Sequence, residues 1–288
     1  MKPRIDLRSK FLRHFGGATV SSACENAVRV VLGDLGENDR LAAARRRLQE
    51  RGVEFRDPPA SFGYEGSLQS VPSSGRQIIF VRPARRKSEI SRVRFTEAHE
   101  IGHWIIRSAV IPGSMATNEQ VFRGAFDAGY DSRVEEALAN ALAAELLVPA
   151  AAVRGASKPS IGWTVSSVKS LQVRFEASRP VVLRRIAEVH SATISVLKLL
   201  PWYGDDVMGD AAIDSVQVIT GSGPRTCHGT LVDPVSIRDL RAADRVKLRV
   251  KIDGRLSCDH AEVEYFDGPI PRVFCTMFSD ATKSEVLK

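Results

Sequence analysis

The chain has 288 residues, of which 43% are hydrophobic and 26% charged. That length supports two or three compact units, and the composition is that of an ordinary soluble protein with enough apolar residues for a core in each half. The formal net charge of +7 favours acidic partners, nucleic acid included, but it is a weak guide to function. The basic start MKPRIDLRSKFLRHFGG has no apolar run behind it, so no secretory signal is expected. The most apolar stretch, Ala137 to Val153, is interrupted by Asn140, Glu145 and Pro149 and is not expected to span a membrane. Cys24, Cys227, Cys258 and Cys275 are scattered, which predicts a reduced, cytoplasmic protein.

Residues 1–60 read as a helical segment. Ser21 to Leu32 carries a small and apolar face. Asn38 is an N-cap candidate for a helix running to Arg51, which Gly52 closes. Arg45-Arg46-Arg47 reads as a solvated face of that helix. After the turn Arg56-Asp57-Pro58-Pro59, Tyr64 to Val71 and Gln77 to Val81 read as two strands around Pro72-Ser73-Ser74-Gly75. The exposed edge of such a pair can bond, backbone to backbone, to an extended peptide.

Residues 61–155 hold the chemistry. A helix is predicted from about Arg92 to Ala109, with Pro112 setting its stop. It contains FTEAHEIGHWIIR, Phe95 to Arg107. Residues four apart on a helix lie about 40° from one another, so His99 and His103 share a face. Two imidazoles one turn apart can bind a single Zn²⁺. Glu100, beside the first of them, is placed to take a proton from a water activated there. Ile101, Trp104 and Ile105 form the apolar face. Gly102 costs a helix about 1 kcal/mol against Ala, which predicts a close neighbour at that point.

Ile111 to Asp131, rich in Gly, Asn and Asp, reads as a long loop. A second helix is predicted from Arg133 to Leu147, with Val134, Leu138, Leu142 and Leu146 at helical spacing. A catalytic zinc site needs three protein ligands and an open position. Glu135, Glu136 and Glu145 are the carboxylates this helix offers. Glu145 lies about 180° round the helix from Glu136. Geometry alone leaves Glu135 and Glu136 even.

The two motifs, FTEAHEIGH and, about thirty residues later, EEALANALAAELLVP, together resemble the ImmA/IrrE family of zinc peptidases. That family pairs His-Glu-x-x-His with a second-helix motif of the form E-x-x-x-N-x-x-A-A-x-L-L-x-P. Here it falls on Glu136, Asn140, Ala143, Ala144, Leu146, Leu147 and Pro149. The resemblance covers roughly Tyr64 to Val189. It implies a gluzincin-like α+β fold, helices against a small sheet with a cleft between. It also implies that Glu136 completes a zinc site with His99 and His103, manganese being the alternative metal, and that Glu100 is the general base. The substrate it implies is a helix-turn-helix transcriptional repressor cut within the cell. Tyr130, just before the second helix, is the candidate donor to the transition state, and an ordinary loop tyrosine is the plainer reading of it.

Residues 160–191 hold two short helical patterns, VSSVKSLQVRFE and RPVVLRRIAEV. They resemble the helix-turn-helix-like unit that follows the peptidase core in the family. Arg179, Arg184 and Arg185 would suit phosphates, and packing on the core is the plainer use. From 192 to 288 the pattern becomes alternating and β-branched, which predicts a mostly antiparallel β domain of open role. Cys227-His228, Cys258, His260 and Cys275 lack tight spacing and read as buried thiols and unrelated histidines rather than a second metal site.

The expectation is therefore a cytoplasmic metalloendopeptidase acting on a protein partner. Nucleic acid is a secondary partner at most, and no membrane is involved. The alternative is a metal-containing regulator that binds DNA or a protein without cutting it. The intact Glu100 argues against that alternative, because a structural metal needs no base.

Overall fold

The computed structural model describes residues 6–36, 39–71, 74–111, 131–156, 163–190, 192–201, 211–220, 223–233, 240, 245–253, 255–266 and 272–279. The chain divides into two compact units, 1–153 with 171–182, and 154–170 with 183–288.

The first unit opens with three helices. α1 (Leu7–Phe15) is capped by Asp6, whose side chain accepts the Ser9 N–H. α2 (Val20–Leu32) starts with a reciprocal capping box between Thr19 and Ser22. α3 (Arg40–Glu50) differs from the expected capping. Its N-cap is Asp39, in the left-handed region at φ 45°, with no side-chain cap bond, and Asn38 lies outside the described residues. Gly52 does follow this helix at φ 82°, as a closing glycine should.

Three strands follow: β1 (Val53–Arg56), β2 (Gly66–Ser70) and β3 (Gln77–Val81), in the order β1-β3-β2. β1 runs parallel to β3 and β2 antiparallel to it, so β2 is an edge among the described residues. The sequence reading missed β1, whose four residues are too few for alternation to register. α4 (Ile90–Ile105) runs on into a π turn, Ile106–Val110, whose i to i+5 bond joins Ile111 N–H to the Ile106 carbonyl. α5 (Ser132–Leu147) and the short α6 (Ala150–Ala156) complete the set. Ile101, Ile105, Leu142 and Leu146 are fully buried where α4 and α5 pack, and Leu7, Phe11, Leu32, Leu48 and Ile79 extend this core.

α7 (Val165–Phe175) and α8 (Arg179–His190) match the two predicted helical patterns, and the division between units runs through them. Beyond them lie β4 (Thr193–Pro201), β5 (Ala211–Thr220), β6 (Gly223–Cys227), β7 (Gly229–Leu231), β8 (Arg245–Ile252), β9 (Arg255–Phe266) and β10 (Arg272–Ser279). Their order is β6-β5-β4-β10-β9-β8-β7, every pair antiparallel.

The two ends of that order are one strand. Only His228 separates β6 from β7; the first part pairs with β5 and the second with β8. Asp253 holds the join, accepting the His228 N–H on its side chain and donating its own N–H to the His228 carbonyl. Through this one segment the two ends of the sheet join, in the manner of a six-stranded barrel. Alternate residues fill it: Leu197, Leu199, Val216, Val218, Cys227, Leu248, Val250, Ala261, Cys275 and Met277. Gly229 faces inward too, and a Cβ there would meet Val216 Cγ2 at 2.3 Å. Burial pushes the Cys275 thiol up to about 12.

Among the described residues, no single helix is long and apolar enough to cross a membrane.

Candidate metal centre

The metal-binding pattern begins with how closely α4 and α5 approach. Gly102 carries no side chain, so the Ala139 backbone on α5 can lie directly against α4. That contact puts the His99–His103 face of α4 opposite the N-terminal half of α5. His99 Nε2 and His103 Nε2 are 3.0 Å apart. Glu136 Oε2 is 3.2 Å from His99 Nε2, and its Oε1 is 3.3 Å from His103 Nε2.

These separations fit a metal. Ligand atoms about 2.1 Å from a tetrahedral zinc are themselves about 3.4 Å apart. Among the described residues, His99, His103 and Glu136 are the group of three that could hold an ion. The donor set, two imidazoles and one carboxylate, is that of a three-ligand site with one position left open.

The outer nitrogens of both rings are also engaged. His99 Nδ1 faces Asn140 Oδ1 at 3.0 Å, one turn beyond Glu136 on α5. His103 Nδ1 faces Glu135 Oε1 at 2.8 Å, and the same oxygen accepts the Arg107 Nε–H at 2.7 Å. So the two neighbouring glutamates divide the work: Glu136 turns to the ring nitrogens that face the metal position, and Glu135 to the far side of one ring. Glu145 lies elsewhere. It is buried, pairs with Arg40 and accepts the Ala150 N–H at the start of α6.

The electrostatics follow from this arrangement. Burial alone would lower the His103 pKa, but its hydrogen bonds to Glu135 and Glu136, with the charges of Glu135 and Glu100, push it up to about 9. The bonds from His103 and His99 hold the Glu136 carboxyl well below the usual carboxylate range. Burial raises the Glu100 pKa, and the neighbouring histidines only partly offset that.

Glu100 is 8% exposed and lies against the edge strand. A Cβ on Gly66 would come within 2.5 Å of Thr96 Cγ2 and 3.2 Å of Glu100 Oε1, so the glycine lets β2 approach α4. Together Tyr64, Gly66, Ser67, Leu68, His99, Glu100, His103, Arg107 and Glu136 line a cleft of about 240 Å³.

Tyr130 lies outside the described residues. Sequence reasoning missed Arg107, although its place four residues after His103 continues the i, i+4 stripe and was a usable signal. It also missed Tyr64, for which the sequence carries no signal, and the partnering of Glu135 with His103. In the helical pair beyond the core, Arg185 is fully buried and paired with Glu188, and Arg184 donates to the same carboxylate. Arg185 is thus taken up by packing, the plainer of the two uses expected, while Arg184 keeps a quarter of its side chain exposed. Of the residues read as buried thiols and unrelated histidines, Cys227 and Cys275 are free buried thiols inside the barrel, and the Cys258 and His260 side chains lie outside the described ones.

A His-Glu-x-x-His helix crossed by a carboxylate-bearing helix, with a small sheet closing the cleft, defines a metallopeptidase-like domain. Residues 61–187 match the Peptidase_M78 family, described as the IrrE N-terminal-like domain, so the resemblance carried by the two helix motifs is shown over that stretch. Among solved structures, a Mycobacterium tuberculosis transcriptional regulator is similar at 14% identity with a TM-score of 0.45, over 98% of this chain and 84% of that one. No curated protein matches the chain.

Proposed function

We propose that the chain is a zinc-dependent endopeptidase of the cytoplasm that cuts a helix-turn-helix transcriptional repressor and so relieves repression. The observation that carries this reading is Glu100. It is not part of the ligand triad, yet it is buried beside it on the cleft wall made by Gly66 to Leu68. A metal held for structure alone has no use for such a carboxylate.

His99, His103 and Glu136 would hold the ion. When bound, Zn²⁺ supplies Lewis acidity, lowering the pKa of water and polarising a carbonyl. Glu100 accepts a proton from the attacking water on its carboxylate and returns it to the leaving amine. The burial that raises its pKa moves it toward neutrality, where a group can both take and release a proton. Edge strand β2 offers its backbone to an extended substrate, which would lie antiparallel or parallel to it across the cleft.

The repressor as substrate rests on the family resemblance. The non-proteolytic, DNA-binding alternative is weakened by the engagement of Arg184 and Arg185 with Glu188. The test is to incubate zinc-loaded protein with a panel of helix-turn-helix repressors and read the products by mass spectrometry. A single internal cut in one repressor is expected. A repressor that binds tightly and stays intact through prolonged incubation would favour the binding regulator instead.

A further inference from the structure

Among the described residues, Arg107 is the one arginine or lysine in the lining of the cleft, and nothing in the ligand triad or the base requires it. It stands one turn after His103, at the second residue of the π turn. π segments are frequent at functional sites. Its Nε donates to Glu135 Oε1 at 2.7 Å, and Glu135 is in turn fixed against His103. Both partners are largely withdrawn from solvent, at 13% and 5% side-chain exposure. Among the described residues, this ion pair uses only Nε. A guanidinium carries five N–H donors in a rigid fork, so the terminal groups are left at the cleft.

We propose that Arg107 binds a main-chain carbonyl of the substrate peptide, one or two residues from the scissile bond, while Glu135 holds the guanidinium in place. This inference rests on the peptidase reading above. The spacing suits it. Four residues of helix carry Arg107 about 6 Å past His103 along the axis. Carbonyls of an extended peptide recur about every 3.3 Å. A peptide with its scissile carbonyl at the metal position therefore brings a neighbouring carbonyl to Arg107. A neutral carbonyl suits this guanidinium, because Glu135 already balances its charge. The tether matters because a side chain already fixed loses less entropy when the substrate arrives.

The test compares two metal-chelating probes on zinc-loaded protein by calorimetry. Acetohydroxamate reaches only the ion. The hydroxamate of a succinyl dipeptide amide adds main-chain carbonyls. Arg107→Met should weaken the peptide hydroxamate about 10- to 100-fold, the range for a lost hydrogen bond to a charged group. Acetohydroxamate affinity and zinc content should stay as in the wild type. Equal loss of both probes would make Arg107 only a support for the metal ligands and overturn the proposal, as would no loss of either. Should Arg107→Met lose its zinc, Arg107→Lys, which keeps a cation beside Glu135, allows the same comparison. Wild-type protein that holds zinc but binds neither probe would instead bring down the peptidase reading itself.

Discussion

Gly102 and Ala139 meet backbone to backbone: a Cβ built on Gly102 would lie 2.8 Å from the Ala139 carbonyl oxygen and 3.1 Å from its Cα. This contact sets the distance between the helix that carries the two histidines and the helix that carries Glu136. Neither neighbour can yield by turning a side chain, since both atoms are backbone.

Gly102→Ala should therefore push the helices apart. Overpacking of this kind costs about 1–3 kcal/mol, against a gain of up to about 1 kcal/mol in helix propensity. The expected result is a modest net loss of stability in urea unfolding together with a clear loss of zinc affinity. A variant with unchanged zinc affinity would show that the helix separation does not set the site.

The third ligand gives a second prediction. Glu136→Gln should weaken zinc binding more than Glu135→Gln, because Glu136 faces both Nε2 atoms while Glu135 faces only the far side of His103. Loss of a partner that orients a ligand typically costs about 10- to 100-fold in metal affinity. Chelator competition with the two variants ranks them directly. The reverse order would move the ligand one residue along α5.

How much of this was legible beforehand depends on which residues carried periodicity. His99, Glu100 and His103 sit on a helix whose spacing alone places the rings together. Glu136 was not separable from Glu135 by spacing. They are adjacent on one helix, and the choice between them depends on the rotation of α5 against α4, which Gly102 and Ala139 fix in three dimensions. The strand pattern foretold an antiparallel domain, but not that β6 and β7 are one strand. Closure depends on the long-range pairing of residues 223–231 with both β5 and β8, which no local pattern records. β1 escaped notice because four residues beside a turn carry too little alternation.

A third prediction concerns pH. In the metal-free protein His103 is raised from its ordinary 6.5 to about 9. Between those values the folded chain holds a proton that the unfolded chain has released. The associated stability is complete below about pH 6.5 and declines as pH rises through about 9. Zinc must displace that proton, so its apparent affinity should rise with pH, up to about tenfold per unit over the same window. Calorimetry in buffers of different ionisation enthalpy checks the proton release. An affinity independent of pH between 6.5 and 8.5 would mean that His103 is already neutral.

The most direct test of the central claim is Glu100→Gln, assayed for zinc content and for repressor cleavage in the same preparation. The amide keeps the size of the side chain and its place against Gly66, but it cannot accept a proton. Removing a general base costs about 10²–10⁴-fold in rate. The account predicts full zinc occupancy with cleavage reduced by at least that range, so that a repressor is bound and left intact. Zinc-loaded Glu100→Gln protein that cuts the repressor as fast as the wild type would contradict it.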